Sequence, residues 1–418
     1  MTEHNADHAQ VQSLLVVAGD SGADRRPLRE RTRPAFEDGN ASFRVVDLFA
    51  GCGGLTLGIA QAAHARGLAL KIPLAVDFEP TAAQVYRSNF PGAERVECCR
   101  VEELFDGDAG EGYEPHQPLT LAEARIRKEV GAIDALIGGP PCQGHSNLNN
   151  HTRRVDAKNA LYLRMVRAAQ VLKPKAILIE NVPAVVNDRH DGEGVVTRAI
   201  IRLQAMGYCV EARVISIAEL GVAQTRQRHV LVATMPGELL PGDLFNELKA
   251  TTIAHDLEWA IGDLVDASDE ATTILDQAPQ AKADNLKRMQ WLLDHPEEFD
   301  LPNHLRPVCH QGEHSYKSMY GQLRWSEPAQ TITSGYGSIG QGRYMHPSRA
   351  RALTAHEAAR IQGFPDYFDF TGCRTRSELA VMIGNAVPPQ VGERIFSLLL
   401  EFRENSRKST RINIASGA

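Results

Sequence analysis

The sequence has no excess of positive charge. Its 45 Lys and Arg stand against 52 Asp and Glu, for a net charge of −7. That balance alone argues against a nucleic-acid protein, which ordinarily shows a basic footprint. No apolar run approaches the roughly 18 residues of a membrane span. The opening MTEHNADHAQ lacks the basic segment and long apolar stretch of a secretory signal, so a soluble cytoplasmic protein is expected. The seven cysteines are odd in number and run from Cys52 to Cys373 without a repeating spacing. They exclude a disulfide framework and point to free thiols in a reducing compartment. There is no internal repeat. Gly and Pro, 34 and 22 of 418 residues, are ordinary, which excludes collagen-like and wholly disordered chains.

What is present is enough chain for two or three domains. Residues 1–42 mix charges, Gly and Pro around one apolar patch, Leu14 to Val17, and read as a disordered leader that docks locally at most. From Phe43, short apolar runs alternate with amphipathic stretches. Strands are expected at 43–49, 74–78, 133–137, 176–180, 209–215 and 229–234, and helices at 55–66, 81–89, 160–172 and 195–206. Such alternation predicts a doubly wound, parallel-rich α/β sheet whose ligands gather at the carboxyl ends of the strands. The alternation stops near Pro236. Residues 237–320 carry sixteen acids against six Lys and Arg, a local balance of −10 that leaves the rest of the chain at +3. This shift marks a domain boundary.

The run VVDLFAGCGGLTLG sets Gly51, Gly53 and Gly54 between a strand and a helix. Such a loop is either a tight structural turn or a place where a ligand meets backbone. It departs from G-x-G-x-x-G, with Thr56 at the third position. Asp77-Phe78 ends the second strand, where an acid can hold ribose hydroxyls and an aromatic ring can cover adenine. A nucleoside site without a strong phosphate signature suits S-adenosylmethionine. Further along, Gly138-Gly139-Pro140-Pro141-Cys142-Gln143 forms a rigid turn that leaves Cys142 at the same edge. Its thiol is either inert and structural or reactive. The polar residues 143–158, with Arg153, Arg154 and Lys158, make a solvated loop or a lid that touches phosphates. Glu180 ends the next apolar strand. An acid there suits proton exchange with a ring nitrogen, the alternative being a salt-bridged strand end. In Gln224-Thr225-Arg226-Gln227-Arg228, an extended chain puts both arginines on one face, as a clamp for an anion or carbonyl or as a solvated face.

Together and in this order, these pieces resemble the C5-cytosine DNA methyltransferase family over roughly residues 43–235 and 320–400. The motifs that carry the resemblance are DLFAGCGG, GPPCQ, ENV, QTRQR, the segment PAQTITSGYGSIGQGRYMHPSRARALTAHEAARIQGFP and MIGNAVPPQVG. The resemblance implies a Rossmann-like class I S-adenosylmethionine-dependent methyltransferase fold with a smaller target-recognition domain. Residues 43–236 plus 375–405 would form the catalytic and cofactor-binding domain. Residues 237–374 would form the recognition domain with its supporting segment, and 406–418 a polar tail that frays. It implies Cys142 as the nucleophile at cytosine C6, Glu180 at N3 and the exocyclic amine, Arg228 at O2 and Arg226 as support. The target base would be flipped out of the duplex. Phe49, Ala50, Gly51, Gly53, Asp77, Phe78, Val101, Pro141 and Leu161 would line the cofactor pocket, with Asn385, Ala386 and Val387 closing it. The implied partner is double-stranded DNA, bound by a monomer, in the cytoplasm beside the nucleoid and within a bacterial restriction-modification or defence system.

The sequence also departs from the family pattern. Arg100 stands where an Asp usually receives the adenine amine, and arginine cannot accept that bond. Glu102 or backbone carbonyls would substitute, with weakened cofactor affinity. His145 replaces a usual Phe. The acidic 237–320, of which roughly 266–300 looks freely variable, should repel phosphates. Its acids face away from DNA, its target site is very short, or a partner protein supplies DNA contacts. His304, Cys309, His310 and His314 do not make a convincing metal set, because neighbours such as Cys309 and His310 point apart in a strand; the vicinal Cys98-Cys99 makes a weaker one. An RNA cytosine methyltransferase is the nearest alternative, although the Cys-Phe-Thr signature of its tRNA-acting branch is missing. A non-catalytic DNA-binding subunit is the other, against which the intact Cys142, Glu180, Arg226 and Arg228 argue.

Overall fold

The computed structural model describes residues 26–108, 117–141, 160–190, 193–265, 273–311 and 318–416. Its centre is a seven-stranded sheet of β1 (Ala41–Leu48), β2 (Leu68–Asp77), β3 (Val96–Cys98), β4 (Ala135–Gly138), β5 (Ala176–Asn181), β6 (Cys209–Ser216) and β7 (Gln227–Thr234). The spatial order is β3-β2-β1-β4-β5-β7-β6. Neighbours from β3 to β5 are parallel, while β7 runs antiparallel to both β5 and β6. The helices are α1 (Gly54–His64), α2 (Pro80–Asn89), α3 (Leu121–Val130), α4 (Ala160–Leu172), α5 (Val195–Ala205), α6 (Pro241–Ala250), α7 (Leu257–Ile261), α8 (Ala283–Asp294), α9 (Ala355–Ile361), α10 (Arg376–Asn385) and α11 (Pro389–Ser416).

Strand alternation decides which helices cover which face. Val45, Ala75, Leu178 and Val230 pack with apolar residues of α1, α2, α6, α10 and α11. Val46, Val76, Ile179 and Leu231 pack with those of α3, α4 and α5. Because both faces are covered, all six residues of β5 are buried, as expected of a central strand in a doubly wound sheet. The first of these cores runs on through Leu257, Leu323, Tyr344 and Ile361. A separate small cluster, including Met289, Leu292, Leu301, Tyr320 and Met345, gathers around α8.

Three expectations change. The leader is docked from Arg26 onward, residues 1–25 lying outside the described residues. Leu28 and Phe36 are 3% and 1% exposed, Arg29 pairs with Asp263 at 3.0 Å, and the carbonyls of Leu28 and Glu30 accept the N–H groups of Asp366 and Tyr367. Two apolar residues in a charged stretch suffice once backbone bonds fix them. The polar tail is not frayed at residue 406, since α11 continues helical through Ser416. The second strand begins at Leu68, not Leu74, despite Pro73. The β1–β2 register slips between Arg44 and Val46, and this irregularity accommodates a residue with no N–H to donate.

Candidate active site

The first loop turns at the end of β1. Phe49 and Gly51 both adopt positive φ, 56° and 55°, a conformation that costs a non-glycine residue energy and concentrates at functional sites. Gly51 N–H donates to Asp77 Oδ2 at 2.7 Å, and Glu79 N–H donates to Asp77 Oδ1 at 2.9 Å. Burial raises the Asp77 pKa above the usual carboxylate range, against the lowering effect of those two donors. Each oxygen keeps a free lone pair for a hydroxyl. The Phe78 ring beside it is 57% exposed, and among the described residues no atom beyond its chain neighbours lies within 4 Å of a Cβ built on Gly51. Ring, acid and open backbone therefore suit a nucleoside. The far end of the chain arrives here too: a Cβ on Gly54 would lie 2.0 Å from the Val387 carbonyl oxygen, and one on Gly58 1.8 Å from that of Pro389. Ala386 is buried and Asn385 exposed at the end of α10. Val101 is buried, and Pro141 and Leu161 are half-buried.

Arg100 is exposed just past β3. Its N–H donates to Glu103 Oε1 at 3.1 Å, in a cap on the short helix Val101–Leu104. Glu102, the first acid of that helix, is half-buried.

The candidate catalytic edge is built by β4, β5 and β7. Antiparallel pairing sets Val230 opposite Glu180 and His229 opposite Asn181. Arg228 Nε approaches Glu180 Oε1 to 2.7 Å, and the two side chains are 11% and 7% exposed. The acid that ends β5 is thus both buried and ion-paired, which joins two alternatives of the sequence reading. Burial lowers the Arg228 pKa, with Glu180 opposing. Arg226 is pushed down to about 9 by burial and by the charge of Arg228, again with Glu180 opposing. A Cβ on Gly139 would lie 3.3 Å from Glu180 Oε2 and 3.6 Å from Val387 Cγ2, so the Gly-Gly-Pro-Pro turn, the acid and the closing segment meet. Asn181 Nδ2 donates to the Pro140 carbonyl at 3.0 Å and anchors that turn. Cys142 lies outside the described residues, as do His145, Arg153, Arg154 and Lys158.

Two further buried groups complete the site. The Gln362 side-chain oxygen accepts from Gln224 Nε2 at 2.9 Å and from Arg226 Nη1 at 3.2 Å, while its Nε2 donates to the Ile383 carbonyl at 2.6 Å. It ties the arginine strand to α10. Its only sequence signal is a place inside the Ile-Gln-Gly-Phe-Pro run. Asp47 is 1% exposed and accepts from Thr56 Oγ1 at 2.6 Å. Burial pushes it up to about 8, with the nearby Asp77 charge adding. An acid inside an apolar strand was the available signal. In the acidic segment, Cys309 and His310 sit on a single 3-10 turn instead of a strand; His314 is outside the described residues.

A buried acid paired with a guanidinium at a strand edge can hold a planar base carrying both a donor and an acceptor edge, and the neighbouring loop can present a nucleoside cofactor. Residues 43–401 match the family described as C-5 cytosine-specific DNA methylase. The chain is 40% identical over 372 residues to type II methyltransferase M1.BsuMI of Bacillus subtilis, covering 88% of this chain and 83% of that relative. It is 27% identical over 372 residues to type II methyltransferase M1.HphI of Haemophilus parahaemolyticus, covering 87% and 88%. The solved structure of Dnmt2 methyltransferase from S. pombe shares the fold, with a TM-score of 0.57 at 17% identity over 86% of this chain and 98% of that one. The chain belongs to the C-5 cytosine-specific DNA methylase family and is a DNA (cytosine-5)-methyltransferase.

Proposed function

We propose that this enzyme methylates cytosine C5 in double-stranded DNA as the modification partner of a type II restriction system, using S-adenosylmethionine. The buried Glu180–Arg228 pair at 2.7 Å, seated against Gly139 of the Gly-Gly-Pro-Pro-Cys turn, carries the reading. S-adenosylmethionine supplies an electrophilic methyl group for C5. Asp77 would receive its ribose hydroxyls, Phe78 would cover its adenine, and Phe49, Ala50, Gly51, Gly53, Val101, Pro141, Leu161, Asn385, Ala386 and Val387 would enclose it.

The chain's own residues do the rest. Cytosine C5 is a poor nucleophile, and attack of the Cys142 thiolate on C6 makes it enamine-like. Glu180 holds N3 and the exocyclic amine and exchanges a proton with the ring. Arg228 holds O2, and Arg226, fixed by Gln362, supports it. Loss of the C5 proton then expels Cys142 and restores the aromatic ring. A base inside a duplex cannot reach this edge, so it is flipped out at a cost of a few kcal/mol. The relatives named type II methyltransferases support the restriction-modification setting. No helix among the described residues is long and apolar enough to cross a membrane, in keeping with work beside the nucleoid. We read the enzyme as a monomer on DNA.

Bisulfite sequencing of DNA from cells expressing the protein should reveal 5-methylcytosine at a defined short site. Unmethylated DNA with methylated RNA would overturn the proposal in favour of an RNA enzyme; neither product would favour a binding subunit. Cys142→Ser should abolish turnover and covalent capture of 5-fluorocytosine DNA, and a captured adduct in that variant would remove Cys142 from its role.

A further inference from the structure

Behind the Glu180–Arg228 pair, two buried polar side chains have no part in the chemistry above. His229 follows Arg228 on β7, so strand alternation turns it to the opposite face. There it meets Tyr162 of α4 edge-on, with ring centroids 6.3 Å apart and planes at 61°. Both residues are 2% exposed, and among the described residues neither the Tyr162 hydroxyl nor His229 Nδ1 has a hydrogen-bond partner. Burial pushes the imidazole down to about 4 and the phenol well up. At neutral pH an uncharged imidazole with one acceptor nitrogen therefore lies beside a tyrosine whose hydroxyl keeps its proton. Leaving such atoms unpaired destabilises the fold, a cost that Phe and Leu at these positions would not carry.

Their placement gives that cost a use. His229 is paired across the ladder with Asn181, whose amide holds the Pro140 carbonyl at 3.0 Å, and it adjoins Arg228 in the chain. Tyr162 lies in the first turn of α4 beside Leu161. The two rings thus stand between the strand edge that receives the base and the helix that begins beside the cofactor.

We propose that Tyr162 and His229 are a positioning pair for methyl transfer. With DNA and methyl donor bound, the Tyr162 hydroxyl donates to the His229 imidazole and ties the first turn of α4 to the β5–β7 edge. That link fixes the Glu180–Arg228 pair relative to the cofactor side. The inference rests on the reading of Glu180 and Arg228 as base-holding groups.

Tyr162→Phe removes the hydroxyl alone and is the decisive variant. In steady-state methylation assays it should lower kcat about tenfold with KM for DNA and for S-adenosylmethionine within twofold of the parent. Its Tm should be equal or higher, because an unpaired buried group is gone. His229→Leu should act alike, and the double variant should be no slower than either single one. A parent-like kcat in Tyr162→Phe, additive losses in the double variant, or a lowered Tm in Tyr162→Phe would each overturn the pair. Glu180→Gln measured alongside separates the two readings. If it keeps parental turnover, the base-holding reading fails; if it is inactive while Tyr162→Phe matches the parent, only the pair fails.

Discussion

The strand edge at β5–β7 and the acidic segment 237–320 handle charge in opposite ways. At the edge, charges are few and buried, and they face one another: Glu180 meets Arg228 at 2.7 Å, and Arg226 is held by the neutral Gln362. In the segment, charges are abundant, and four of its described acids reach cations elsewhere in the chain. Glu238 pairs with Arg403 at 2.6 Å, Asp263 with Arg29 at 3.0 Å and with Arg360 at 3.3 Å, Asp276 with His356 at 2.7 Å, and Asp300 with Arg343 at 2.8 Å. Four of the sixteen acids therefore stitch this segment to its surroundings, and the balance of −10 does not by itself define a surface that repels phosphate.

The sharpest way to break the contrast is to cut the stitching. Asp366 binds both His356 at 2.8 Å and Arg360 at 2.5 Å, and Arg360 is 2% exposed. Asp366→Asn should cost about 3 kcal/mol in denaturant unfolding, since it leaves a buried cation short of its partner. Turnover per folded molecule should stay unchanged, and a selective loss of kcat would mean that the stitching serves catalysis. A smaller effect follows from pH. His356 is pushed up to about 9 by its hydrogen bonds to Asp276 and Asp366, against burial. A raised folded pKa gives stability that is full below the unfolded value near 6.5 and lost as pH rises through 9. That stability should disappear over this window in the parent, and His356→Gln should flatten the curve; an equally sloped curve in the variant would assign the loss elsewhere. The smallest effect lies at the rim of the edge. Arg100→Asp should tighten S-adenosylmethionine binding about fivefold by calorimetry, the worth of one hydrogen bond; an unchanged Kd would show that backbone groups already satisfy the adenine.

How much could be read in advance follows the same divide. Helix α4 falls at 160–172 as expected, because thirteen residues of helical periodicity leave little choice. β3 has three residues, none fully buried, and α3 opens on Leu121 at 92% exposure, so neither shows a period that a sequence can display. The motifs placed Glu180 and Arg228 on one edge but not against each other, since pairing depends on β7 running antiparallel to β5. Gln362 and Asp47 went unrecognised because their roles arise from residues 138 and 9 positions away. The docking of Leu28 and Phe36 was hidden by the charges around them.

The contact of Gly54 and Gly58 with Val387 and Pro389 also sets an order of events during synthesis. Phe43 on β1 packs against Phe396 with centroids 5.9 Å apart, so the face that α11 covers stays bare until α11 leaves the ribosome. At about 5–20 residues per second, the wait from α1 to α11 is some tens of seconds. During that time the nascent chain carries the Gly-Gly-Pro-Pro turn and the acid-bearing strand, but not the segment whose Val387 meets Gly54 and Gly139. The fold is therefore closed only once α11 has been made, and chains terminated before it lack that cover.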